Sequence, residues 1–103
     1  MKAKKLKIRC FTYMVHFNNS DKADHGSTDV DNKEIYINTK YNEEVQRETL
    51  HHEILHAALL DFPNMGKEMD SDKQEEDIIR YISPILVTIY RENKWLRDFI
   101  YGA

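Results

Sequence analysis

His52 and His56 stand four positions apart, with Glu53 directly after the first, in the run His52-Glu53-Ile54-Leu55-His56. On a helix, positions i and i+4 lie one turn apart on the same face. Two imidazoles so placed can reach one tetrahedral metal ion at about 2.0–2.1 Å each. Glu53 sits about 100° round the helix from His52, so it cannot take the same bonding position. It can reach a water on that metal, which is where a general base has to be. Zn²⁺ lowers the pKa of a bound water towards about 7 and polarises a carbonyl oxygen. The pattern therefore predicts Zn²⁺ on His52 and His56, with Glu53 as the general base of peptide-bond hydrolysis. Ala57, Ala58, Leu59 and Leu60 follow, so the helix reads as buried, and buried imidazoles and carboxylates need a partner that offsets their desolvation. The plainer alternative is that both histidines are solvated or satisfied by hydrogen bonds.

Two histidines do not complete a catalytic zinc site, which ordinarily has three protein ligands and a water. His51 adjoins His52 and points away from it. His16 and His25 fall in a β-rich region and read as surface histidines, and Cys10 reads as a strand core residue. Asp70, Asp72, Glu75, Glu76 and Asp77 gather at the start of a later helix. Most read as a solvated acidic turn; one of them could supply the third ligand.

The elements that must position these groups are legible in outline. Leu6 to Phe17 is rich in β-formers and reads as one strand. Asn18 to Gly26 is polar and turn-like, Ser27 to Val30 reads as a second short strand, Asp31-Asn32 as a tight turn, and Glu34 to Asn38 as a third strand. Asn42, followed by Glu43 and Glu44, opens a helix from about Glu43 to Leu60 that Phe62 to Gly66 should stop. Ser71 and Gln74 have capping-box spacing ahead of Ile78, Ile79, Ile82, Ile85, Leu86 and Ile89, an apolar face of helical period. Pro84 should kink that helix, and Lys94 to Tyr101 reads as a last short one. The expected fold is α+β: a small three-stranded antiparallel sheet, the His-Glu-x-x-His helix, then a second helix bearing the carboxylates.

Composition narrows the function classes. The chain has 103 residues, which suits a single domain spanning 1–103. The formal net charge of −3 gives no global attraction for nucleic acid or anionic membrane. The basic run Lys2, Lys4, Lys5, Lys7 and Arg9 reads as the charged edge of the first strand. One cysteine forbids an intramolecular disulfide, no apolar core follows the basic start, and no stretch approaches a membrane span. A cytoplasmic protein that binds neither membrane nor nucleic acid is expected.

Nineteen residues separate His56 from Glu76. That gap resembles the gluzincin arrangement, in which a glutamate on the next helix completes the site. The whole chain resembles small phage-encoded metallopeptidases related to the ImmA/IrrE and SprT-like families. The likeness runs through His25-Gly26-Ser27-Thr28-Asp29, Glu34-Ile35-Tyr36-Ile37, Glu48 to Ala57 and Glu75-Glu76-Asp77-Ile78-Ile79, as far as Tyr90-Arg91-Glu92-Asn93. It implies His52 and His56 as metal ligands, Glu53 as the base, and Glu76, with Glu75 as the alternative, as the third ligand. Arg80 stands where the ImmA/IrrE pattern has an asparagine four residues after its ligand glutamate. The resemblance also implies a protein or peptide substrate held by backbone pairing along strand 34–38. Tyr36, Tyr41 and Tyr81 are the tyrosines that could face the developing oxyanion. Two other functions compete: a non-catalytic, zinc-stabilised protein-interaction module, and, more weakly, a nucleic-acid binder using the basic run.

Overall fold

A computed structural model describes residues 2–59 and 71–102, with side chains from 74 onward in the second segment. The expected stop at 62–66, Asp70, and the side chains of Ser71 and Asp72 lie outside the described residues. The element order is β1 (Lys4–Ile8), β2 (Phe11–Asn18), β3 (Gly26–Asp29), β4 (Glu34–Asn38), α1 (Glu43–Ala58), α2 (Ser71–Glu92) and α3 (Lys94–Tyr101). The α+β class stands, but the sheet is four-stranded and mixed, in the order β1-β2-β4-β3, where a three-stranded antiparallel sheet was expected.

Two features account for the difference. The run Leu6 to Phe17 is a hairpin, with Leu6 opposite Tyr13 and Ile8 opposite Phe11. The turn is made by Arg9 and Cys10, and Arg9 takes a φ of 59°, a conformation ordinarily given to glycine or asparagine. Cys10, expected in the core, is exposed at the tip of this turn. The second feature is Asn38, buried at the end of β4. Its amide donates to the carbonyls of Ser20, Lys22 and Asp24, and its Oδ1 accepts from the backbone N–H groups of Ser20 and Lys40. The segment after β2 is thereby wrapped across the end of β4. It delivers β3 to the far side, and β4 inserts between β2 and β3, parallel to β2.

This order relocates the free edges. β4 is paired on both sides, so strand 34–38 has no edge to offer a peptide. β1 is an edge strand, but its outer side is covered. The Asn93 side chain bonds both the N–H and the carbonyl of Lys7, and Trp95 Nε1 donates to the Lys5 carbonyl at 2.8 Å. That leaves β3. Its partner bond runs from the Asn38 N–H to the His25 carbonyl, so alternation turns the backbone groups of Gly26 and Thr28 away from β4.

One face of the sheet carries the core. Leu6, Ile8, Tyr13, Val15, Phe17, Ile35 and Ile37 meet Leu50, Ile54, Ala57 and Ala58 of α1, with Ile82 and Ile89 of α2 and Leu96 of α3 closing the cluster. α2 continues through Pro84 as a single helix. Arg47 of α1 donates to the Phe99 carbonyl near the end of α3, tying the first helix to the last. No helix among the described residues is long and apolar enough to cross a membrane.

Candidate metal centre

Asn42 sets the start of α1. Its side chain accepts from the Val45 N–H at 3.0 Å, and Glu43 and Glu44 lie in the positive first turn. The helix buries Leu50, Ile54, Ala57 and Ala58 against the sheet. Thr49 and Glu53, one turn apart, are also buried, whereas His52 and His56 stand exposed at the rim.

The two imidazoles converge. His52 Nε2 and His56 Nε2 are 3.0 Å apart, with the rings nearly perpendicular. A neutral imidazole has one N–H and one lone pair, so one ring donates to the other. Replacing that shared proton by a metal would need little motion, because a tetrahedral ion with bonds of 2.0–2.1 Å spaces two nitrogens about 3.3 Å apart. One ligand atom from each of His52, Glu53 and His56 lies within 4.8 Å of the others. These three can hold a metal ion; nitrogen and carboxylate donors suit a divalent cation.

Glu53 is the buried member, 7 % exposed, and it faces β3. Thr28 Oγ1 donates to Glu53 Oε1 at 2.8 Å. Glu53, His52, Thr49 and Glu48 of α1 form one wall of an open cleft of about 380 Å³, and Asp24, His25 and Gly26 form the other. Gly26 permits this closeness. A Cβ there would lie 2.6 Å from the Tyr36 carbonyl oxygen and 2.8 Å from Thr49 Cγ2. Neither backbone nor a β-branched side chain can yield cheaply, so Gly26→Ala should cost about 1–3 kcal/mol. Urea denaturation of the purified variant measures this, and loss of cleft geometry should appear as weaker metal binding.

Not every expected participant reaches the group. Glu76 is exposed, and its carboxylate accepts from Arg80 Nε at 3.1 Å; Glu75 is exposed too, and neither joins the His52–Glu53–His56 cluster. Arg80, where an asparagine was expected, is thus the partner of the expected third ligand. His51 stacks on Tyr90, away from the group. Tyr36 donates to Glu34 beside His16, Tyr41 donates to the Ala23 carbonyl, and Arg9 lies over the Tyr81 ring; none of the three tyrosines lines the cleft with Glu53. The Glu34 hydrogen bond holds the Tyr36 phenol above its usual range. His25 is exposed, as read from sequence, and it lines the cleft, with Tyr41 in edge contact with its ring. Thr28 was read only as part of a strand and of the resembling run, with no role of its own: a lone threonine in a short strand gives no functional signal until the strand is placed beside α1.

No protein family, curated protein or solved structure matches the chain.

Proposed function

We propose that the chain is a minimal zinc-dependent metallopeptidase of the gluzincin kind. The observation that carries this reading is the convergence of the His52 and His56 Nε2 atoms beside the Glu53 carboxylate at the mouth of a cleft. His52 and His56 would hold the metal. Glu76 is the third ligand in this reading, as the resemblance to ImmA/IrrE and SprT-like enzymes implies. Its bond to Arg80 is an exposed i,i+4 ion pair, worth a few tenths of a kcal/mol, and offers little resistance to exchange. Zinc, when bound, supplies an acidified water and a Lewis acid for the scissile carbonyl.

The rest falls to the chain. Glu53 accepts a proton from the attacking water and returns it to the departing amine nitrogen. His25, which lines the opposite wall, would donate a hydrogen bond into the cleft. The substrate peptide pairs along β3, whose outward backbone groups at Gly26 and Thr28 begin beside the cleft. This replaces strand 34–38 as the pairing edge.

A second reading has its own observation: Glu76 lies outside the cluster, which leaves two histidines and the base. On that reading the domain binds zinc for stability and acts as a protein-interaction module. Equilibrium dialysis of metal-free protein against zinc tests both. Wild type should take up one zinc per chain, His52→Ala should take up none at micromolar zinc, and Glu76→Ala should bind at least about 10-fold more weakly. Absence of zinc uptake by the wild type would sink both readings. An unaltered affinity in Glu76→Ala would remove that residue from the ligand set.

A further inference from the structure

We infer that Thr28 is a positioning residue for Glu53, tying the base to the edge strand; the inference rests on the proposed role of Glu53 in hydrolysis. Two matched contacts carry it. Gly26 and Thr28 are two apart on β3, and Thr49 and Glu53 are four apart on α1. Two strand residues rise about 6.7 Å and four helical residues about 6.0 Å, so the two spacings run in step. Gly26 brings the backbone of β3 against Thr49 at the first contact. At the second, Thr28 Oγ1 meets Glu53 Oε1 at 2.8 Å and the Glu53 carbonyl oxygen at 3.3 Å. The hydroxyl has one proton, and the shorter, charge-assisted bond to the carboxylate is the stronger claim on it.

A base must present one oxygen to the water while the carboxylate stays in a single rotamer. Thr28 engages Oε1, which fixes the plane of the carboxylate and leaves Oε2 for the cleft that Glu53 lines. A buried carboxylate without this donor would lose both its partner and its aim. Thr28 is also one of the two β3 residues whose backbone faces outward. A peptide that pairs with β3 therefore bonds the same residue that aims the base, so the scissile bond and the base share one reference point.

Thr28→Val keeps the branched shape and removes the hydroxyl, whereas Thr28→Ser keeps the hydroxyl and removes the methyl. A packing role predicts that valine is the milder change; a positioning role predicts that serine is. Each variant is checked for folding by circular dichroism, and Thr28→Ala stands in should valine not fold. The zinc-loaded proteins are assayed on a quenched-fluorescent random peptide pool, and the metal-free proteins, labelled with ¹³C-glutamate, are read at the Glu53 Cδ resonance, assigned by its loss in Glu53→Gln. The expected result is unchanged zinc stoichiometry in all three, with kcat about 10–100-fold lower and KM unaltered in Thr28→Val. Thr28→Ser should fall within about 3-fold of wild type on the same donor. The Cδ resonance should move in the valine variant and stay in the serine one. An unmoved Cδ resonance in Thr28→Val, or serine as impaired as valine, would overturn the assignment. If the wild type hydrolyses no peptide, the peptidase reading falls, and the metal-free resonance alone decides whether Thr28 holds the carboxylate.

Discussion

Glu53→Gln should leave zinc uptake intact and lower peptide hydrolysis by about 10²–10⁴-fold. The two effects separate because the surroundings treat the two side chains alike until a proton must move. The amide is nearly isosteric with the carboxylate, and Thr28 can donate to its carbonyl oxygen as it does to Glu53 Oε1. The Nε2 atoms of His52 and His56 keep their geometry, since neither depends on Glu53 for its partner. A glutamine, however, cannot accept the proton of the water, so the loss falls on kcat rather than on KM. Metal analysis of the dialysed protein, with initial rates on a peptide pool, gives both numbers. Zinc retained with activity within about 3-fold of wild type would exclude Glu53 as the base. A wild type that binds zinc and cleaves nothing would shift the case to the interaction module.

The parts of this picture that sequence made legible are those in which one local signal suffices. Asn42 with Glu43 and Glu44 marked the start of α1, and i,i+4 spacing alone put His52 and His56 together. Lys94–Tyr101, read as a last short helix, is α3 with the same bounds. The misreadings share a cause. The break in Leu6 to Phe17 falls at Arg9-Cys10, where no glycine or asparagine announces a turn, and the positive φ is carried by an arginine. The parallel pairing of β2 with β4 goes with Asn38 gathering three carbonyls from Ser20, Lys22 and Asp24, a long-range event with no local pattern. Once β4 is interior, the free sheet edge on this side is β3, and Thr28 becomes visible only then. Glu76 is a different case. Its nineteen-residue gap from His56 resembles the gluzincin one, but a gap in sequence does not by itself fix where a carboxylate lies, and Arg80 one turn on offers it a partner.

Ile54→Ala should destabilise the metal-free protein by about 2–5 kcal/mol, and saturating zinc should restore most of that loss. Ile54 is 1 % exposed and lies between Glu53 and Leu55 on the face of α1 that meets the sheet. Truncation to alanine removes its buried methyl groups and leaves a void that a small core between one sheet and three helices closes poorly. At about 4–8 °C per kcal/mol for a domain near this size, the midpoint should fall by about 8–40 °C. For a chain of 103 residues this is a large share of the stability available. Zinc held by His52 and His56 would act on the same helix from its other side. Bound only by the folded state, zinc at about 1,000 times its Kd adds about 4 kcal/mol, comparable with the loss. His52 and His56 sit on the same turns of α1 as Ile54, so their joint ligation resists the same unfolding that the cavity promotes. Thermal melts of Ile54→Ala with and without zinc, beside the double variant Ile54→Ala/His52→Ala, resolve the two contributions. Recovery in the single variant and none in the double would show that the metal centre and the core stabilise one cooperative unit. Equal recovery in both would place the stabilising zinc elsewhere and take His52 out of the site.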